Sequence, residues 1–372
     1  MERINKGNWT STIMKKKKIL MVCEAFGGGV FTYVRQLCND VCKSFDVYLA
    51  YALRPQTPKN YKEQLNSKIK LIEVKNWNGQ SVLNIRNDKK VISELRKIAD
   101  EIKPDIIHLH SSIAGGIGRL AFKGSNYKLV YTPHGYAHVL MGPGLKSWFY
   151  KEAERYLGKH TNALTLTCTE SEDQVAKTMS RRTAYIETGI DVNELAETLK
   201  NVKHQHEKKL RVYTVGRITK QKRPDVFNKI AELVPNIEFL WIGDGELKKE
   251  LTSPNITITG WKNRDEALKI ADTADVYILC SYGEAIAMSL IENMYMKKLC
   301  LVSNTMGNKS VIRNGKNGYT CKTAEEYAER IKNVVKEFPS ELTQQAHDDV
   351  MDIYNNDIMK KKYIQFYTSL VK

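Results

Sequence analysis

Val276-Tyr-Ile-Leu-Cys-Ser-Tyr-Gly-Glu284-Ala-Ile-Ala-Met-Ser-Leu-Ile-Glu292-Asn-Met-Tyr-Met-Lys-Lys-Leu-Cys-Leu-Val-Ser303 changes its period twice. The apolar run at 276–280 is short and rich in β-formers, so it reads as a buried strand. Residues 289–296 space their apolar side chains as a helix does. A second strand follows at 300–303. Strand, loop, helix and strand in that order make a crossover between parallel strands.

The same unit recurs outward in both directions. Upstream, strands are expected at 210–215, 237–242 and 256–259, with helices at 223–234 and 264–273. Further back, strands are expected at 18–23, 46–52, 69–73, 106–110, 129–132 and 163–168. Helices are expected there at 31–41, 88–102 and 172–179, with a loop at 26–30. A polar, charged stretch at 200–209 separates the two series. The expected class is α/β, with two Rossmann-like domains facing across a cleft. Residues 1–13 are expected to be a disordered extension, since Met14 would serve as a start. The first domain then spans 14–190 and the second 191–354. A helical stretch at 341–371 has no sheet partner of its own, and its end, 355–372, is expected to pack back on the first domain. Ligands of such sheets sit beyond the carboxyl ends of the strands, so the loops there hold the candidate site.

The bulk numbers agree with two globular domains. The chain has 372 residues, of which 42% are hydrophobic. No apolar run approaches the roughly 18–20 residues that span a bilayer. The lysine cluster at 15–18 comes too late, and the run after it is too short, for a signal peptide. Seven cysteines at irregular spacing, without a CxxC, point to free buried thiols in a reducing cytoplasm and against a zinc site. The formal net charge is +16. Thirty of the 58 basic residues but only 16 of the 42 acidic ones precede Ile186, so nearly all the excess lies in the first half. Such a field suits nucleic acid, an anionic membrane or a phosphorylated substrate, and a plain solvated lysine-rich surface equally well.

Three constellations carry chemistry. Gly27-Gly28-Gly29 follows the first strand and precedes a helix, where glycine lets the backbone approach a phosphate. It matches neither GxGxxG nor a P-loop and also fits a tight turn. Gly216-Arg217-Ile-Thr-Lys-Gln-Lys222 closes a strand of the second half, placing two cations where a diphosphate would lie, or on a basic surface loop. The third is the opening segment. Glu284 stands on a loop and Glu292 inside a helix, and each carboxylate can accept hydrogen bonds from a vicinal pair of hydroxyls. Ala285 and Ala287 leave the main chain accessible, and the Met288 and Ser289 amides open a helix toward an anion. The surroundings are apolar, so the carboxylates need partners.

The opening segment resembles the E-x7-E signature of glycosyltransferase family 4, the large retaining family with the GT-B fold. The likeness runs from about residue 16 to 319. Gly28 and Gly29 match its N-terminal glycine loop, and His110 and His134 its strand-end histidines. Thr188-Gly-Ile-Asp191 resembles its NGID turn, Arg217 and Lys222 its basic pair, and Gly243-Asp-Gly-Glu246 a later turn. Gly307-Asn-Lys and Asn314-Gly-Lys-Asn-Gly318 resemble its glycine segments. The resemblance implies that Glu292 holds the ribose, while Glu284 holds the transferred sugar with the Ile286 and Ala287 backbone. It further implies that Arg217 and Lys222 neutralise the diphosphate, that Trp261 lies beside the nucleobase, and that His134 approaches the sugar. This chain departs from the family at Lys297-Lys298-Leu299, where glycine and proline are usual, and at Met306-Gly307 in place of a glycine pair.

The expected activity is therefore α-retaining, metal-independent transfer of a hexose-type sugar from a nucleoside-diphosphate sugar, taken to be a UDP-sugar. No DxD-like motif is placed for a metal; Asp173 reads as part of a helix N-terminus. No cofactor is expected. The acceptor would be a lipid-diphosphate-linked glycan or an oligosaccharide of capsule or exopolysaccharide synthesis, bound by the basic first domain. The enzyme would be cytoplasmic, and peripheral on the inner membrane face. The segment 136–148, with Met141, Leu145 and Trp148, would form an apolar lip there, or a loop packed on its own domain. A nucleic-acid partner is not expected, because aromatic and basic residues are not interleaved. A sugar-nucleotide epimerase or a non-catalytic nucleotide-sugar-binding subunit of the same fold remain the alternatives.

Overall fold

Strands that are apolar on both faces must be covered on both faces, and the chain supplies a helix after almost every one. The computed structural model describes residues 16–77, 85–142, 144–200 and 209–372. The expected extension at 1–13, and most of the polar stretch at 200–209, lie outside these. The first domain holds β1 (Lys18–Cys23), β2 (Asp46–Tyr51), β3 (Lys70–Glu73), β4 (Ile106–His110), β5 (Lys128–Thr132), β6 (Leu164–Thr167) and β7 (Thr183–Tyr185). They form a parallel sheet of order β3-β2-β1-β4-β5-β6-β7. The second domain holds β8 (Arg211–Val215), β9 (Glu238–Ile242), β10 (Ile256–Ile258), β11 (Val276–Leu279), β12 (Leu299–Ser303) and β13 (Tyr319–Cys321). Their order is β10-β9-β8-β11-β12-β13, again parallel. Sequence periodicity missed β7 and β13. Each is a three-residue edge strand without the isoleucines that made the equally short β10 readable.

Each sheet is packed on both sides. Ile19, Met21 and Cys23 of β1 face one cluster, with Phe31, Val34, Leu37 and Cys38 of the helix Gly28–Val41. Leu20 and Val22 face the other, with Val91, Leu95 and Ile117. Fully burying one such side chain is worth about 1.5–3 kcal/mol. The helix Gly28–Val41 starts inside the glycine run, three residues before the expected Phe31. Gly27 is its extended N-cap, and Gly28 takes φ +55°, which a glycine adopts without a Cβ clash.

The Lys297-Lys298 departure has a local solution. Lys297 takes the positive φ (+56°) that glycine usually fills. Lys298 is buried; its ammonium donates to the Asp272 carbonyl (2.7 Å) and lies 3.3 Å from the Asp272 carboxylate. All seven cysteines are buried and free.

The helical stretch at the C-terminus is two helices. Ser340–Asp352 packs on the second domain, its Ala346 and Val350 in that core. Asn356–Leu370 lies on the first, with Met359, Tyr363 and Tyr367 in its core. The chain thus crosses between domains twice, and the crossings are hydrogen-bonded side by side. Ile190 N donates to Tyr354 O (2.8 Å), and Asn356 N donates to Ile190 O (2.9 Å).

Candidate active site

In each sheet the strand order reverses between two neighbours, β1 and β4 in the first, β8 and β11 in the second. Loops leaving such a pair diverge and open a crevice at the carboxyl ends. In the second domain these are the loops at 216–223 and 280–287. They are stitched together: Tyr282 N donates to Gln221 O (3.0 Å), and Gln221 Nε2 donates to Gly283 O (3.1 Å). This brings Lys222 to Glu284, and its Nζ donates to Glu284 Oε1 at 2.7 Å. The floor of the loop is the helix Met306–Val311. A methyl group added at Gly307 would collide with the Glu284 carbonyl oxygen. That close approach is why glycine stands there.

The helix Met288–Tyr295 begins directly after the loop. Its N-cap, Ala287, offers no side-chain acceptor. The first amides of a helix have no intrahelical partner, so those of Met288 and Ser289 point out of it with partial positive charge. The Ser289 hydroxyl itself is taken by Tyr277, 2.9 Å away. Ile286 packs against the cores of both domains. One turn into the helix, Glu292 is nearly buried. Arg264 Nε and Nη2 lie 3.0 and 2.9 Å from its Oε1. Burial pushes the Glu292 carboxyl pKa up, and the Arg264 guanidinium pulls against that rise. Trp261, after Gly260, is largely exposed.

The first domain presents its own reversal point. Methyl groups added at Gly28 or Gly29 would meet open space, so the backbone there is accessible. His134 sits after β5 with φ +54°. Its Nε2 is hydrogen-bonded to His110 Nδ1 (3.0 Å), and its Nδ1 lies 3.7 Å from Cys168 Sγ. Tyr33 meets the imidazole edge-on, with ring centroids 4.6 Å apart. Burial lowers the His134 pKa to about 3, so the ring is neutral at physiological pH. A sugar hydroxyl would have to replace one of its present bonds. Glu172 fixes the turn beneath, accepting from Gly135 N (2.9 Å) and Cys168 N (3.0 Å). The domains meet here: a methyl group at Gly283 would come 2.8 Å from Val139 O, five residues beyond His134.

The structure therefore brings Lys222, Glu284, Ile286, Ala287 and the Met288 and Ser289 amides to one loop-and-helix corner, with Glu292 beside it. Gly28, Gly29 and His134 lie on the facing domain. Arg217 stands apart from the corner, its guanidinium 3.6 Å from Glu246 with both side chains more than half exposed. Asp173 lies in the first turn of the helix Glu170–Lys177, capped by Thr169. The apolar lip differs from its sequence outline. Tyr136 is buried, whereas Leu145, Trp148 and Phe149 are 83%, 58% and 61% exposed on the helix Leu145–His160.

Four charged residues escaped sequence reasoning. Glu24, at the end of β1, is buried and accepts from Ser111 Oγ and Ala114 N. Its place after a buried strand was a usable signal. Glu172 follows Thr169 by three, the spacing of a capping box, which was another. Arg264 and Glu194 gave no signal, because their partners lie 28 and 70 residues apart in sequence.

Comparison with known proteins matches residues 27–194 to the family described as Glycosyltransferase Family 4 and residues 196–348 to Glycosyl transferases group 1. A UDP-Gal:alpha-D-GlcNAc-diphosphoundecaprenol alpha-1,3-galactosyltransferase of Escherichia coli is 27% identical over 75% of this chain and 76% of its own. Among solved structures, a sucrose-phosphate synthase of Thermosynechococcus elongatus superposes with TM-score 0.81 at 15% identity, over 95% of this chain and 99% of that one. Anabaena HepE in complex with UDP-glucose gives 0.75 at 15% identity, over 95% and 100%. Taken with the two facing Rossmann-like domains, these findings place the chain in the glycosyltransferases that join a family 4 domain to a group 1 domain in the GT-B fold.

Proposed function

We propose that this protein transfers a hexose-type sugar from a UDP-sugar to a lipid-diphosphate-linked glycan, with retention of configuration and without a metal ion. The observation that carries the reading is the Lys222–Glu284 pair, 2.7 Å apart, beside the open N-terminus of the helix Met288–Tyr295. Glu284 accepts hydrogen bonds from sugar hydroxyls, and Glu292 accepts those of the ribose. The diphosphate lies between Lys222 and the Met288 and Ser289 amides, with Arg217 swinging in from its exposed pair with Glu246. The C1–O bond to the diphosphate breaks as the acceptor oxygen bonds C1 on the same face. The acceptor proton passes to the leaving phosphate oxygen. Charge stabilisation of that phosphate dominates, because the cation and the helix amides are already in place. Closure about the paired crossings would bring Gly28, Gly29 and His134 over the donor and exclude water. The UDP and polyprenyl-diphosphate assignments draw on the Escherichia coli relative's named substrates.

The acceptor would reach the site at a cytoplasmic membrane face. Among the described residues, no helix is long and apolar enough to cross a membrane. Leu145, Trp148 and Phe149 instead form an exposed apolar strip on a helix that also carries Lys146, Lys151, Arg155 and Lys159. That composition suits an anionic interface. Capsule or exopolysaccharide synthesis is the corresponding pathway class. The test incubates the enzyme with UDP-sugars and a synthetic GlcNAc-diphosphate-polyprenol, and reads the product by mass and by anomeric NMR. One added hexose in α linkage, formed in EDTA, supports the reading; a β product or strict metal dependence overturns it.

A further inference from the structure

Glu292 does not stand alone. Arg264 opens the helix Arg264–Asp272, which is held by a capping box between Asn263 and Glu266. One edge of its guanidinium, Nε and Nη2, meets Glu292 Oε1. Its remaining nitrogen, Nη1, donates to Glu194 Oε1 at 3.0 Å. Glu194 in turn accepts from Arg35 Nη2 at 3.0 Å through its other oxygen. Glu194 lies in the first turn of the helix Val192–Leu199, which Asp191 caps directly after the domain crossing at Ile190. Arg35 belongs to the first domain, on the helix that begins in the glycine loop. Four alternating charges thus run from the donor cleft, through the crossing, to the other domain.

We propose that Arg264 is a positioning residue for the donor ribose, and that Glu194 and Arg35 tie it to the hinge and to the first domain. The proposal rests on the reading of Glu292 as the ribose carboxylate. Both contacts from Arg264 fall on Oε1, which turns the carboxylate so that Oε2 is left to accept a ribose hydroxyl. The fork geometry of arginine serves this; the flexible point charge of lysine serves it less well. Partly buried ion pairs lose to desolvation much of what they gain by attraction, so a chain of three such pairs ending on a cleft carboxylate is better explained by alignment. The charged and titratable groups facing Glu292 are Arg264, Glu194 behind it, and Tyr277 of β11. Removing Arg264 therefore leaves Glu292 with burial and the Glu194 charge, both of which favour its protonated form. Nucleotide binding would then weaken as pH falls.

The test is calorimetric titration of the full chain with UDP and with 2′,3′-dideoxy-UDP, which lacks the hydroxyl pair. Wild type should prefer UDP, and Glu292→Ala should abolish that preference. Arg264→Gln should weaken UDP by roughly tenfold, about 1.4 kcal/mol, and change dideoxy-UDP far less. Its preference for UDP should be smaller at pH 6.5 than at pH 8.5. Arg264→Lys should retain part of the preference. Glu194→Gln should lose less than Arg264→Gln, and the double variant should lose less than the sum. Glu194→Gln and Arg264→Lys carry the test if Arg264→Gln melts early. If Glu292→Ala abolishes the preference while every Arg264 and Glu194 variant keeps the wild-type ratio at both pH values, the positioning role is refuted. If Glu292→Ala keeps the preference, the ribose reading itself is wrong.

Discussion

Replacing Lys222 with alanine removes the ammonium that stands beside Glu284. The ammonium sits 2.7 Å from Glu284, and both side chains are mostly buried. A unit charge about 4 Å from the leaving phosphate, at an effective dielectric of about 20, is worth about 4 kcal/mol. Much of that already acts on the bound diphosphate, and only the charge that develops as the C1–O bond breaks counts toward the rate. About 2–3 kcal/mol is left for the transition state, which corresponds to a fall in kcat of about 30- to 150-fold. KM for the donor should rise by a smaller factor. Initial rates with a UDP-sugar, alongside a melting curve to show that the unpaired Glu284 has not unfolded the domain, provide the assay. Lys222→Arg should recover part of the rate. A Lys222→Ala enzyme that keeps kcat within about threefold would refute the electrostatic argument.

Three further outcomes follow from particular contacts. Lys298→Ala removes the ammonium that meets the Asp272 carboxylate and carbonyl, and should destabilise the second domain by up to about 3 kcal/mol in urea titrations. Gly307→Ala pushes a methyl group into the Glu284 carbonyl, so it should cut kcat by at least about tenfold, since small misplacements are costly, while circular dichroism stays native. Burial depresses the pKa of His108, His110 and His134. The folded state then binds fewer protons than the unfolded one below the unfolded pKa of about 6.5. Stability from these groups is complete above that pH and should fall, by up to about 1.4 kcal/mol per pH unit per ring, as the pH drops below it. Chemical denaturation at pH 7, 6 and 5 would show this, and an unchanged midpoint would contradict it.

The sequence carried the fold because strand–loop–helix units are local. A run such as Val276–Leu279 followed by the helix Met288–Tyr295 is readable within 20 residues. The edge strands Thr183–Tyr185 and Tyr319–Cys321 were not, since they lack the isoleucines that mark the equally short Ile256–Ile258. For the site, Glu284, Glu292 and Lys222 were legible as charges on strand-end loops of an α/β chain. The pairing of Lys222 with Glu284 was not, because 62 residues separate them and they meet through the hydrogen bonds of Gln221 to Tyr282 and Gly283. The Arg35–Glu194–Arg264–Glu292 chain is a purely tertiary object. No local pattern distinguishes its arginines from the many other surface cations of a basic chain. The place of Arg217, paired with Glu246 away from the corner, likewise depends on side-chain direction that spacing does not encode.

The central claim, that this cleft holds a nucleoside-diphosphate sugar, is tested most directly by melting the protein alone and with UDP-, GDP- and dTDP-sugars. At a ligand concentration ten times Kd, binding adds about 1.4 kcal/mol, which should raise the midpoint of the second domain by about 3–5 °C. The account predicts such a shift with a UDP-sugar and its loss in Glu292→Ala. No shift with any of the three nucleotides would contradict it.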